Sequence, residues 1–396
     1  MYYFDHCAST PPKKEVVRTM AEVMERHYAN PSSLHRAGLE SAKLLARARA
    51  VIADAFGTGA NNWTFTSGGT ESNNMAILGA ARQNKGRGRH LVTTRIEHAS
   101  VYETFAALEA EGFRVTYLPV KEDGRIDPEQ VEAALADDTI LVSVMHVNNE
   151  TGAVQPIAAI GKLLRGRSHT LFHVDGVQSA GKLPIRLVEW GIDLFTASAH
   201  KIGGPRGSGL LYAREGVALA PVLAGGGQEA GMRPGTENVP AIVATAKAFR
   251  MALEEQPERS RKMRDLRQRL VGMLRDIPQL RLNGRESVLD ESGEIAMAPH
   301  IVHFSYPGMK PEVVIHMLEE RGFLVSTQSA CSSKSSKPSR VLEAMGMPPA
   351  IASSGIRVSF GDEHDEQAVA SLSRALRDTV AALAPLERKE GRIETT

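Results

Sequence analysis

Cysteine is scarce: Cys7 and Cys331 are the only two in 396 residues. One bridge at most could form, so a disulfide scaffold and a four-cysteine zinc cluster are both excluded, and a reducing compartment suits the chain. Long apolar runs are missing too. No stretch approaches the roughly 18 residues of a membrane span, and the start Met1-Tyr2-Tyr3-Phe4-Asp5-His6-Cys7 has no basic region followed by an apolar one. These absences favour a soluble cytoplasmic protein with no membrane association. A bias of charge is lacking as well: Lys and Arg number 47 against 46 for Asp and Glu, a formal charge of +1. No direct nucleic-acid binding is therefore expected, and small-molecule chemistry is the better default. No internal repeat or long low-complexity tract appears. What is present is an ordinary globular composition, 42% hydrophobic and 23% charged, on a chain long enough for two or three domains.

Through the first two-thirds, short apolar runs alternate with longer segments of helical period, the signature of an α/β fold. Candidate strands are Trp63–Thr66, His90–Thr94, Arg114–Leu118, Thr139–Met145, Leu171–Val174, Leu194–Ala197 and Gly209–Ala213. Together they predict one large sheet, with the nearly continuous apolar run Thr139–Met145 at its centre, covered on both faces. Intervening helices are expected at Glu15–Tyr28, Leu39–Phe56, Glu71–Ala81, Ser100–Glu111 and Ile157–Leu164. Asp127-Pro128-Glu129-Gln130 reads as a helix start with a capping box. From Pro240 a single helical pattern runs through the basic segment Glu258–Leu270 towards Leu274. Its cations Arg259, Arg261, Lys262, Arg264, Arg267 and Arg269 read as a solvated face rather than an RNA or partner surface. Beyond it, strands at Ile301–Ser305 and Gly322–Ser326 and helices at Pro311–Arg321 and Glu366–Leu383 suggest a smaller α+β domain. The expected division is a large domain over 15–256 and a small one built from 1–14 and 257–396, with Glu387–Thr396 as a frayed tail.

Three local patterns carry chemistry. Thr66-Ser67-Gly68-Gly69-Thr70-Glu71-Ser72-Asn73 is a strand end passing through two glycines into a helix, where free N–H groups favour a phosphate. It is not a Walker loop, since no Gly-Lys-Ser/Thr follows. His173-Val174-Asp175-Gly176-Val177-Gln178 places Asp175 just beyond an apolar strand, where open α/β sheets bind ligands. Ser198-Ala199-His200-Lys201-Ile202-Gly203-Gly204 delivers Lys201 after another strand, either as a surface cation or as a Schiff-base former. A phosphate cradle, then a carboxylate, then an amine are the anchors that pyridoxal 5'-phosphate needs.

With Glu97-His98, Met145–Glu150, Gly225–Gly227, Gly231–Thr236, Ser329–Ser333 and Ile356–Ser359 added, the series resembles the cysteine desulfurases of the NifS/IscS type, within the class V aminotransferase superfamily of fold-type I pyridoxal-phosphate enzymes. The resemblance implies a large domain with a seven-stranded, mainly parallel sheet flanked by helices, plus the smaller domain. It implies that Lys201 binds the cofactor and moves the substrate Cα proton, that Asp175 bonds the ring nitrogen, and that His98 stacks on the ring and relays protons. Gln178 would bond the phenolate oxygen and Asn149 would lie near the ring's substituents. Gly69, Thr70, Ser198 and His200 would hold the phosphate, joined by Thr236 of a neighbouring subunit in a homodimer. Arg357, helped by Asn30, would grip the carboxylate of L-cysteine.

Cys331 sits in Gln328-Ser329-Ala330-Cys331-Ser332-Ser333-Lys334-Ser335-Ser336-Lys337-Pro338, a composition that cannot form a core and reads as a mobile loop over about 326–338. By the resemblance it is the nucleophile that takes sulfur as a persulfide and passes it to an acceptor protein: a cluster scaffold, a tRNA-thiolation protein or a thiamine-pathway sulfurtransferase. Alanine is the other product. A selenocysteine lyase or a class V aminotransferase is the alternative, and Cys331 argues for the desulfurase. Cys7 reads as structural. Two departures from the best-known cluster-assembly members stand out. Gln228 replaces a histidine after the glycine triplet, and the chain ends in Glu387-Arg388-Lys389-Glu390 and a few polar residues where those members carry a longer, partly apolar tail.

Overall fold

The computed structural model describes residues 1–327 and 338–390, with the backbone alone for 386–390. Its larger body is a seven-stranded sheet in the order Trp63–Thr66, Gly209–Ala213, Leu194–Ser198, Leu171–Asp175, Thr139–Met145, His90–Thr94, Arg114–Leu118. Five of these strands run parallel as neighbours, from Leu194–Ser198 to the Arg114–Leu118 edge. Gly209–Ala213 alone is reversed, antiparallel to both strands beside it. Every residue of Thr139–Met145 is buried, as its unbroken apolar run demands of a strand covered on both faces. Because the other six strands share a direction, their C-terminal ends open on one edge of the sheet, the edge where open α/β sheets bind ligands.

Helices form where the sequence places them, with ends adjusted by caps. Asp127 accepts from the Glu129 N–H while Gln130 reaches back to Asp127, so the capping box holds the helix Pro128–Ala134. The long pattern after Pro240 is not one helix. It breaks into Val239–Glu254 and Gln256–Arg275. Pro257 supplies the reason, since it has no N–H to continue the first ladder and suits the first turn of the second.

The smaller body packs the helices Gln256–Arg275, Pro311–Glu320 and Glu366–Glu390 on an antiparallel sheet ordered Gly355–Ser359, Ile301–Ser305, Arg281–Leu282. Leu266, Leu270, Phe304, Val358, Leu372 and Leu376 are among its core residues. Phe323–Leu324, the core of the expected strand, pairs in parallel with Tyr2–Tyr3, so the first residues of the chain join this body.

The basic helix departs from the expected solvated face at one position. Arg267 is 1% exposed. Its guanidinium donates to the carbonyls of Ile301, Arg285 and Glu286, tying the helix to the small sheet, and burial lowers its pKa to about 10. Arg259 pairs with Glu255 and Asp362, and Arg269 with Glu366.

Candidate active site

A cavity of about 210 Å³ opens at the C-terminal edge of the large sheet. Asp175 enters it as the last residue of Leu171–Asp175. Its carboxylate accepts from Asn73 Nδ2 at 2.8 Å and from the Val177 N–H at 3.0 Å, and no cation among the described residues forms a salt bridge with it. A buried carboxylate satisfied only by neutral amides retains its attraction for a cationic ligand atom.

Lys201 ends the turn that follows Leu194–Ser198. Its Nζ donates to the carbonyls of Cys7 at 2.5 Å and Ala8 at 3.0 Å. Burial lowers its pKa to about 8, so a useful fraction of neutral amine exists near physiological pH.

His98 caps the helix Ala99–Ala110, with Nδ1 accepting from the Ser100 N–H at 3.1 Å. That bond places the ring hydrogen on Nε2. Burial, partly offset by Asp175, lowers the His98 pKa, which favours a neutral ring.

The anion cradle comes from two strand ends. The helix Gly69–Asn84 begins at the cavity, and its first N–H groups lack intrahelical acceptors. A Cβ at Gly69 would stand 2.7 Å from Val177 Cγ2, so the close approach requires glycine. Ser198 is buried, and its Oγ has no partner among the described residues. His200 lies beside them, its pKa lowered to about 4 by burial and then by neighbouring cations.

Arg357 reaches the same cavity from mid-strand in the small sheet. It is 1% exposed, donating to the Asn149 carbonyl at 2.7 Å and to Asp5 Oδ1 at 2.9 Å, while its Nε has no partner among the described residues. Gln178 donates to the Cys7 carbonyl at 3.0 Å, and its Oε1 has no partner among the described residues.

The structure thus brings Gly69, Thr70, His98, Asn149, Asp175, Gln178, Ser198, His200, Lys201 and Arg357 into one lining. Asn30 is not part of it. That residue is exposed and accepts from Ser32 N in its own turn. Thr236 is exposed as well and does not line the cavity within one chain. Cys331 lies outside the described residues, as does nearly all of the segment around it. Cys7 is 1% exposed and lines the cavity, and its backbone carbonyl accepts from both Lys201 and Gln178.

Sequence reasoning assigned no role to Asn73, Asp5 or Glu97. Asn73 is three residues after Thr70 on one helix face, a spacing that could have exposed it. Glu97, next to His98, is buried, and its Oε1 accepts from Thr94 Oγ1 at 2.7 Å and the Met145 N–H at 3.0 Å. Burial raises its pKa to about 8, so it is mostly protonated at neutral pH.

An amine, a carboxylate, a neutral imidazole and a cradle of hydroxyl and amide groups fit an aldehyde-bearing ring with a basic nitrogen and an anionic arm. The family described as Aminotransferase class-V matches residues 2–372. The chain is 40% identical over 393 residues to the cysteine desulfurase IscS of Methanosarcina thermophila, covering 98% of this chain and 95% of the relative. To the putative cysteine desulfurase IscS 1 of Bacillus subtilis it is 42% identical over 383 residues, covering 96% and 99%. A solved NifS-like protein superposes with a TM-score of 0.89 at 34% identity, over 96% of this chain and all of the other.

Proposed function

Because the chain belongs to the class-V aminotransferase family and, within it, to the cysteine desulfurases, we propose that it desulfurates L-cysteine in this cavity with pyridoxal phosphate and delivers the sulfur to Cys331. The observation that carries the reading is the convergence, around one cavity, of Lys201 with its lowered pKa, the unpaired charge of Asp175 and the partnerless hydroxyl of Ser198.

In this reading Lys201 holds the cofactor's aldehyde and Asp175 its ring nitrogen. Gly69, Thr70, Ser198 and His200 hold its phosphate, and His98, Gln178 and Asn149 face the ring. When bound, the cofactor supplies an electron sink for the pair left at the substrate Cα. Arg357 binds the substrate carboxylate through its fork, giving up its bond to Asp5 or sharing it. Lys201 Nζ, once free, holds and moves the Cα proton, a task suited to an amine of pKa about 8. His98 keeps its Nε2 hydrogen available as a donor. The Cys331 thiolate then attacks the substrate sulfur: an S–S bond forms, the C–S bond breaks, and carbon keeps its pair and is protonated to give L-alanine. Cysteine and a thiol become alanine and a persulfide, with no outside oxidant.

The working unit in this reading is a homodimer. Tyr28 and Leu34 are 86% and 91% exposed, large apolar side chains that a second copy would cover, and Thr236 is exposed where it could serve a neighbour. Among the described residues no helix is long and apolar enough to cross a membrane. We place the enzyme in the cytoplasm, where a free thiol persists.

Mass spectrometry after exposure to L-cysteine tests the reading: one added sulfur atom on Cys331, matched by released alanine. Cys331→Ala should abolish sulfide release while the bound cofactor's absorbance stays intact. Undiminished turnover in that variant would instead support a lyase or aminotransferase. Transfer of the labelled sulfur to purified cluster scaffold, tRNA-thiolation and thiamine-pathway proteins identifies the acceptor.

A further inference from the structure

Lys201 also borders a second cavity, of about 220 Å³, whose wall includes His6, Lys13, Lys182, Arg259, Asp362 and Glu363. Nearly every charged group there is matched. Lys13 bonds Glu255, and Arg259 holds Asp362 through both of its carboxylate oxygens, at 2.6 and 3.0 Å. Glu363 Oε1 meets His6 Nε2 at 2.7 Å, and the Lys201 ammonium is turned to the carbonyls of Cys7 and Ala8. Lys182 is the exception. The residue is 5% exposed and its Nζ has no hydrogen-bond partner among the described residues. Burial presses the Lys182 amine toward its neutral form, so the charged form calls for a compensating anion beside it.

None of the nearby acids is placed as that partner: Asp362 bonds Arg259, Glu363 bonds His6 and Glu255 bonds Lys13. A metal ion is disfavoured too. His6, Glu363 and His364 stand close enough to suggest one. However, His364 Nδ1 accepts the Gly361 N–H at 2.8 Å, which leaves the hydrogen on Nε2 and makes that atom a donor rather than a ligand. Around this space Lys13, Lys182, Lys201 and Arg259 share the wall with two carboxylates, Asp362 and Glu363. A single water needs roughly 10–15 Å³ of such volume, so a polyatomic anion fits together with waters.

We propose that this second cavity is an anion site, in which Lys182 is the recognising cation and the ligand is a compact oxyanion or carboxylate. It is separate from the phosphate cradle at Gly69. Lys201 feels the charge of Lys182, so an occupant of the site also weakens the push that Lys182 exerts on the catalytic amine.

The test uses cofactor-loaded enzyme, in which the Gly69 cradle is already filled, at fixed ionic strength balanced with chloride. Inorganic phosphate or acetate should raise the melting temperature by about 1–3 °C in a saturable way, and Lys182→Gln should remove the rise. A response to phosphate alone assigns the site to inorganic oxyanions, and one to acetate alone to carboxylates. Crystals soaked in selenate or bromoacetate, matching the responding probe, should show an anomalous peak within hydrogen-bond or contact distance of Lys182 Nζ. Water alone at Nζ in soaked crystals, or a temperature rise that survives in Lys182→Gln, overturns the proposal. If that variant does not fold, the soaked parent crystals decide by themselves.

Discussion

The two sheets deliver functional groups in opposite ways. In the large sheet Asp175 stands at a strand's end, and Lys201 and Gly69 lie just past strand ends, so reactive atoms reach the open edge without interrupting a ladder. In the small sheet Arg357 stands mid-strand, bridged in register to His303 and buried on all sides. Its charge is tolerated there because Asp5 and the Asn149 carbonyl take two arms of the guanidinium. A strand end offers freedom to react, whereas a mid-strand site offers fixed geometry. Under the proposed function, the strand ends of the larger body carry the groups for the cofactor, and the mid-strand Arg357 of the smaller body recognises the substrate carboxylate.

Breaking the first half of that contrast should have the largest effect. Lys201→Ala should lower kcat by about 1000-fold or more, since the proposed function places both cofactor attachment and proton movement on that amine. Single-turnover alanine formation measures the loss, and a variant within tenfold of the parent would move the chemistry elsewhere. The recognition half is probed by Arg357→Leu. Removing one partner of a buried charge pair costs about 2–5 kcal/mol, so KM for cysteine should rise by 30-fold or more, roughly, with a smaller change in kcat. Asp5→Asn should do the same more mildly, by a few-fold, because it loosens the fork without removing it. Equal losses of kcat in both would erase the proposed division of labour.

The smallest effect sharpens the comparison from below the reacting edge. Glu97 has its folded pKa raised to about 8 by burial, above the ordinary carboxylate range. Between the unfolded value and about 8, the folded protein binds the extra proton, so this residue's contribution to stability declines as pH rises through that window. Glu97→Gln, which imitates the protonated form, should flatten the fall of melting temperature between about pH 5 and pH 8. An unchanged slope would show that another group governs it.

The strands of the large sheet were legible because apolar runs of strand length, punctuated by glycine and capping residues, leave little choice. The strand-end placement of Asp175 and Lys201 followed from those same boundaries. Other features had no local signal. Tyr2–Tyr3 is too short to show a period and finds its partner only through the fold. Arg267 looked like its charged neighbours, yet helix geometry turns it onto the Ile301 carbonyl of the small sheet and the Arg285 and Glu286 carbonyls of the loop that precedes it. The pairing of Asp5 with Arg357 joins opposite ends of the chain, which no window of sequence can display. Pro257 was a visible breaker overridden by the apolar pattern on either side of it.

Residues 2–8 form a hinge pin between the bodies. Tyr2 and Phe4 donate to the Gly322 and Leu324 carbonyls and Cys7 N to Ser359 Oγ, all in the smaller body, while the next carbonyls cradle the amine of the larger. Any rocking of the smaller body therefore pulls on the acceptors of Lys201, and a bulky fusion grafted onto Met1 would be felt mechanically at the reacting centre.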